Sequence, residues 1–209
     1  MEIDSDISSG EEETLTAGEV LQILEESWLN EKFSPEILPH RNEMVECMLE
    51  QINQMEENLN KLKKGDFRVI VHQMELDRIR FIITSYLRIR LSKIEEFTVH
   101  ILSEESRRDH ASKYLSPGEY KFATEYVRHM ENHFHLLAFR HMPGNFQEFN
   151  KTKMVVVPNV SSHVFIRAKE NIATVVIDDE EIDLEENSQH ILPYSSVMEF
   201  VRSGSVQLI

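Results

Sequence analysis

The chain has 209 residues, 41% of them hydrophobic and 28% charged, with a formal net charge of −15. Six Gly and six Pro are too few for a collagen-like or low-complexity chain, and the single Cys47 excludes an intrachain disulfide or a multi-cysteine metal site. No apolar run approaches the roughly 18 residues of a membrane span, and the acidic balance repels duplex nucleic acid unless a local basic patch intervenes. That length suits one substantial domain or one large and one small, in an intracellular, reducing setting.

Residues 1–13 hold Glu2, Asp4, Asp6 and Glu11 to Glu13 without a basic residue, and read as a disordered acidic tail rather than a signal peptide. Thr16 and Glu19 form a capping box that starts a first helix, with Leu21, Leu24 and Trp28 on its apolar face. Phe33-Ser34-Pro35 interrupts that helix. A second helix is expected over 42–64, where Val45, Met48, Ile52, Met55, Leu59 and Leu62 alternate steps of three and four, as in bundle cores. Gly65 stops it and Asp66 caps the next.

The third helix carries most of the information. Val69, His72, Leu76, Ile79, Ile83, Tyr86, Arg90, Ile94 and Phe97 follow at helical spacing, so one stripe runs along a helix expected to reach Leu102 as a single rod. Arg90 sits inside this apolar stripe. It is either buried against a carboxylate or carbonyls, or placed at the stripe's edge with its head in water. The other basic residues here, Arg78, Arg80, Arg88 and Lys93, spread around the helix instead of forming a patch, so DNA contact is expected to be indirect or weak.

Ser103 to Lys113 is polar and reads as a mobile connection. Ser116, Pro117 and Glu119 announce a fourth helix with an apolar face of Ala123, Tyr126, Met130, Phe134, Leu137 and His141, ended by Pro143-Gly144. Short β-branched runs at 154–157, 164–166 and 174–177, with another at 189–192, then predict strands. The fold class is therefore mainly α with a small β-rich C-terminal domain: a helical A domain over 14–143, a linker over 144–153 and a B domain over 154–209.

No motif carries catalysis. His129 and His133 are one turn apart, but the segment HMENH lacks the glutamate that a zinc protease needs after its first histidine, and ordinary solvated histidines are the favoured reading. His141 is expected as a hydrogen-bonded core residue. The acidic run 178–186 lacks a calcium-loop pattern. No catalytic residue, metal or cofactor is assigned.

The segments HQMELDRIRFIITSYLRIRLSKIEEF, WLNEKFSPEIL, LSPGEYKFATEYV with HMP after it, and the ending SQHILPY…SGSVQLI resemble the Sld-five-type subunits of the GINS complex. The resemblance implies a non-enzymatic subunit of a heterotetramer in the nucleus, with three other GINS subunits as partners. It also implies membership of the replicative CMG helicase with the MCM ring and a RecJ-like CDC cofactor, and contacts with DNA polymerase epsilon and the polymerase alpha hub adaptor. Residues 1–9 lack the alternating Leu and Ile of the hub-docking motif, which puts that last contact in doubt. On the same basis Arg80, Tyr86, Arg88 and Arg90 are assigned to subunit packing or salt bridges, and Val206, Leu208 and Ile209 to the family's terminal motif, docked on a partner or on its own domain. Two other classes stay open: a helical adaptor unrelated to replication, and a histidine-dependent metalloenzyme.

Overall fold

The computed structural model describes residues 15–61, 66–109, 112–144, 153, 155–177 and 180–209. The acidic tail, Leu62, Gly65 and most of the 144–153 stretch lie outside them. Helix α1 spans Ala17–Phe33 and opens on the expected box, with the Glu19 carboxylate accepting from the Thr16 backbone N–H at 2.7 Å. Helices α2 (Asn42–Asn60), α3 (Phe67–Arg107) and α4 (Pro117–Leu137) follow. Asp66 caps α3 by accepting from Arg68 N at 3.0 Å, and Ser116 and Glu119 cap α4 reciprocally.

Apolar faces of α1, α2 and the first half of α3 close on one core: Leu24, Val45, Met48, Ile52, Leu76, Ile79, Ile83 and Tyr86. A second core, lower on α3, joins Ile94 and Ile101 to Ile37, Leu115 and Ala123 of α4. Helix α3 is not one straight rod. Phe97 leaves helical geometry (φ −110°, ψ 22°), and beside it the Thr98 hydroxyl donates to the Ile94 carbonyl, a side-chain bond that bends helices.

Helix α3 also continues past Leu102 to Arg107, where a loop is expected from polarity. Glu105 explains the extra turn: its buried carboxylate accepts the Tyr114 and Leu115 backbone N–H groups at 3.1 and 3.2 Å, tying the helix end to the entry of α4. At the other end of the stripe His72 is exposed, because no element covers the first turns. His141, expected in a core, is exposed too. It lies in a short 3₁₀ turn (Phe139–His141) after α4 has ended at Leu137.

The C-terminal part contains β1 (His163–Ala168), β2 (Ile172–Ile177), β3 (Glu180–Leu184), β4 (Gln189–Pro193), helix α5 (Tyr194–Ser203) and β5 (Val206–Leu208). Strands β4, β1 and β5 make an antiparallel sheet in that order, and β2 with β3 makes a hairpin. Val155 to Val157 form no strand, although their β-branched run predicts one. No described strand pairs with them, and β propensity is realised only against a partner. Gly204 takes φ 90° at the end of α5, the left-handed turn that lets the chain reverse into β5.

The sheet side does not stand free of the helices. Leu38 packs into its core with Ile166, Leu184, Tyr194, Val197 and Leu208. Glu36 accepts from the Tyr194 hydroxyl at 2.8 Å and from Arg202 at 2.7 Å, and Asn30 of α1 accepts from Leu208 N at 2.8 Å. Burial raises the Tyr194 phenol, with the Glu36 charge adding to it, so this hydroxyl stays a donor at any ordinary pH. Glu36→Ala is expected to cost about 1–3 kcal/mol by leaving buried donors unpaired. Hydrogen exchange should detect it as faster opening of α5 with little change in α2.

Candidate interaction surface

Arg90 settles the alternative left open by its place in the stripe. Its side chain is 1% exposed, as is that of Glu31, so the guanidinium is fully interior. Each of its five N–H groups finds an acceptor. Nε and Nη2 grip the two Glu119 oxygens at 2.7 and 3.0 Å, Nη1 reaches Glu31 at 3.0 Å and the Leu38 carbonyl at 2.7 Å, and Nη2 also reaches the Tyr114 carbonyl at 2.8 Å. The Tyr86 ring lies 5.6 Å from the guanidinium carbon. One turn on, Lys93 donates to Glu31 Oε1 at 2.9 Å, Ser34 Oγ at 2.8 Å and the Glu36 carbonyl at 2.8 Å.

Two cations and two carboxylates thus cancel inside the bundle. Burial pushes the Glu119 carboxyl up, but the Arg90 hydrogen bonds and charge, with Ser116, outweigh it and hold the group below the ordinary carboxylate range. Burial likewise disfavours the Arg90 cation, yet Glu119 and Glu31 raise its pKa overall. At Lys93 burial wins over Glu31, and the ammonium is lowered. The linkage at Glu119 has a definite sign. Its stabilisation is present above the unfolded carboxylate pKa of about 4.3 and is lost as pH falls through the depressed folded value. Glu119→Gln should therefore be less stable than the parent at pH 7, with the gap in urea midpoint narrowing toward pH 3.

This network has no open coordination position or unspent donor at Arg90, so it holds segments together and offers nothing to a substrate. It gathers α1, the 34–39 connector, α3 and the head of α4 around one residue. Glu31 left one signal in the sequence that went unread. It follows Val20 and Leu24 on the buried face of α1, a carboxylate set in an apolar face opposite an arginine set in another. Lys93 and the second duty of Glu119, beyond its cap, gave no periodic signal.

The remaining site residues divide by exposure. Tyr86 is buried, and its hydroxyl accepts from Arg41 N at 3.2 Å. Val206 and Leu208 are buried in their own sheet, with Ile209 half-exposed beyond them. Arg80 bridges α3 to Glu56 of α2 and to Asp77, while Arg88 is exposed and makes no ion pair among the described residues. His129, His133 and His135 lie exposed on α4, and no group of three metal-ligating side chains occurs among the described residues.

A second stripe on α3 is absent from the periodicity reading. Phe67, Ile70, Val71, Met74 and Phe81 lie about half a turn around from the core stripe, and Phe67, Met74 and Phe81 are 74%, 68% and 63% exposed. Leu136 and Leu137 at the end of α4 are similarly bare. Scattered apolar residues on a surface are ordinary, but a continuous stripe along one helix marks a contact face. No described helix is long and apolar enough to cross a membrane.

A helical bundle with saturated interior charges, a small docked sheet and an uncovered apolar stripe is a scaffold whose chemistry is association. The model of the GINS complex protein helical bundle domain matches residues 44–138, and that of the DNA replication complex GINS protein SLD5 C-terminus matches residues 158–209. The chain is 46% identical to the DNA replication complex GINS protein SLD5 of Rattus norvegicus, covering 99% of this chain and 96% of the relative. The Homo sapiens protein of that name is 43% identical over the same shares, and the Arabidopsis thaliana one 31% over 96% of each. The chain belongs to the SLD5 family of GINS DNA replication subunits.

Proposed function

We propose that this chain is a non-catalytic subunit of the GINS heterotetramer, acting in the nucleus within the replicative CMG helicase during initiation and fork progression. The observation that carries the reading is the apolar stripe of α3, solvent-exposed in a chain whose relatives are named as members of a complex. Three sister subunits would cover it and the bare end of α4. The MCM ring and the RecJ-like CDC cofactor are the further partners in this reading, with DNA polymerase epsilon and the polymerase alpha hub adaptor beyond them.

Within it, Arg80, Arg88 and Ile209 are the assigned residues that a partner can reach. Tyr86, Arg90, Val206 and Leu208 would act indirectly, by fixing the shape that partners meet. Co-expression with the three sister subunits tests the proposal, with mass read by light scattering. A stoichiometric four-chain particle is expected, and Met74→Asp on the stripe should reduce its yield several-fold while leaving the helical content of the chain unchanged. A stable monomer indifferent to those subunits would favour a helical adaptor unrelated to replication instead.

A further inference from the structure

Among the described residues the three-stranded sheet has one open edge and one uncovered face, and its hydrogen bonds say which. Ala168 N donates to the Ser188 carbonyl and Tyr194 N to the Ser162 carbonyl, so the even-numbered residues of β4 face β1. By alternation Gln189 and Ile191 turn their backbone N–H and C=O groups away from the sheet. The opposite edge, on β5, is closed: Asn30 accepts from Leu208 N. Strand β4 is therefore an edge without a pairing strand among the described residues, with Pro193 at its end removing one donor.

The face beside that edge carries an apolar pair and no acidic side chain among the described residues. Phe165 lies directly opposite Ile191, in a pair without mutual hydrogen bonds where side chains stand closest, and the two are 58% and 57% exposed. Arg167 lies opposite Gln189 on one side and Gln207 on the other, and makes no ion pair among the described residues. His163 ends the row. In a chain of net charge −15, a face carrying Arg167 and His163 and no carboxylate side chain stands out. Screening confines charge effects to about 8 Å at physiological salt, so this local sign governs what settles there.

We propose that β4 takes up an acidic, extended peptide as an added strand. The peptide's backbone would pair with Gln189 and Ile191, its apolar side chains would cover Phe165 and Ile191, and a carboxylate would meet Arg167. This is independent of the contact along α3, which lies on another element.

The test uses the full chain and a fluorescently labelled peptide of about nine residues with serine at every even position and valine and glutamate alternating at the odd ones, so that its apolar and acidic side chains share one face. Binding is read by anisotropy and located by hydrogen exchange. Protection at residues 189–191 is expected, with binding weakened about tenfold by Arg167→Glu or by Ile191→Pro and unchanged by Lys121→Glu on α4. The Ile191→Pro change removes an N–H that has no partner among the described residues, so the sheet itself should persist, and circular dichroism checks that. The proposal fails if the same peptide with lysine in place of glutamate binds equally well, if neither variant weakens binding, or if a single-stranded oligodeoxynucleotide takes the same face. It also fails if assembly with the sister subunits already protects these amides.

Discussion

Replacing Arg90 with Met should lower the stability of the chain by about 3–5 kcal/mol, the range for removing one partner of a buried ion pair. The loss comes less from the contact than from what remains. Without the guanidinium, the Glu119 and Glu31 carboxylates lie in the interior with Lys93, the Leu38 N–H and the Ser116 cap left to offset them. The Leu38 and Tyr114 carbonyls also lose their donor. Urea unfolding measures the loss, and the second mutation shows its cause. Arg90→Met with Glu119→Gln should recover part of it, because an unpaired charge is removed along with its former partner. Arg88→Ala, exposed and without an ion pair among the described residues, should stay within about 0.5 kcal/mol. If Arg90→Met cost no more than that, the network would not be what fixes the connector.

That network also marks the limit of reading this chain from its residues. Periodicity placed four helices and the capping boxes at Thr16 and Ser116, because both signals are local. It set Arg90 in an apolar stripe but could not say what met it, since Glu31 and Glu119 are 59 and 29 residues away in sequence. The same locality explains the errors. Val155 to Val157 have the composition of a strand, yet none of the described strands pairs with them, and composition cannot supply a partner. Ser103 to Arg107 looks like a loop until Glu105 is seen holding two backbone N–H groups from the entry of α4. The exposed stripe of α3 was hidden for another reason: Arg78 interrupts it between Met74 and Phe81, and the stronger core stripe on the opposite side drew the pattern. Family resemblance named the assembly without showing which of these faces the chain leaves bare.

The chain's end makes the second large prediction. Val206 and Leu208 are wholly buried, and β5 joins β1 to α1 through Asn30, so these residues link the sheet to the helices. Leu208→Ala should cost about 2–5 kcal/mol, as expected for truncating a buried leucine. Deleting Gln207 to Ile209 should do more, exposing one edge of β1 and freeing Asn30, with exchange accelerating through β1 and α5. Assembly should weaken with it, seen as reduced co-purification with the other GINS subunits. A loss of fold and a loss of contact would look alike in that deletion, and Ile209→Ser separates them. Ile209 donates its backbone N–H to the Phe165 carbonyl at 3.1 Å whatever its side chain, so the strand survives the change. If co-purification falls with Ile209→Ser, the half-exposed side chain touches a sister subunit directly; if only the deletion reduces it, the end acts by holding the sheet in place. Undiminished recovery of the complex with the deleted chain would remove the terminal strand from assembly altogether.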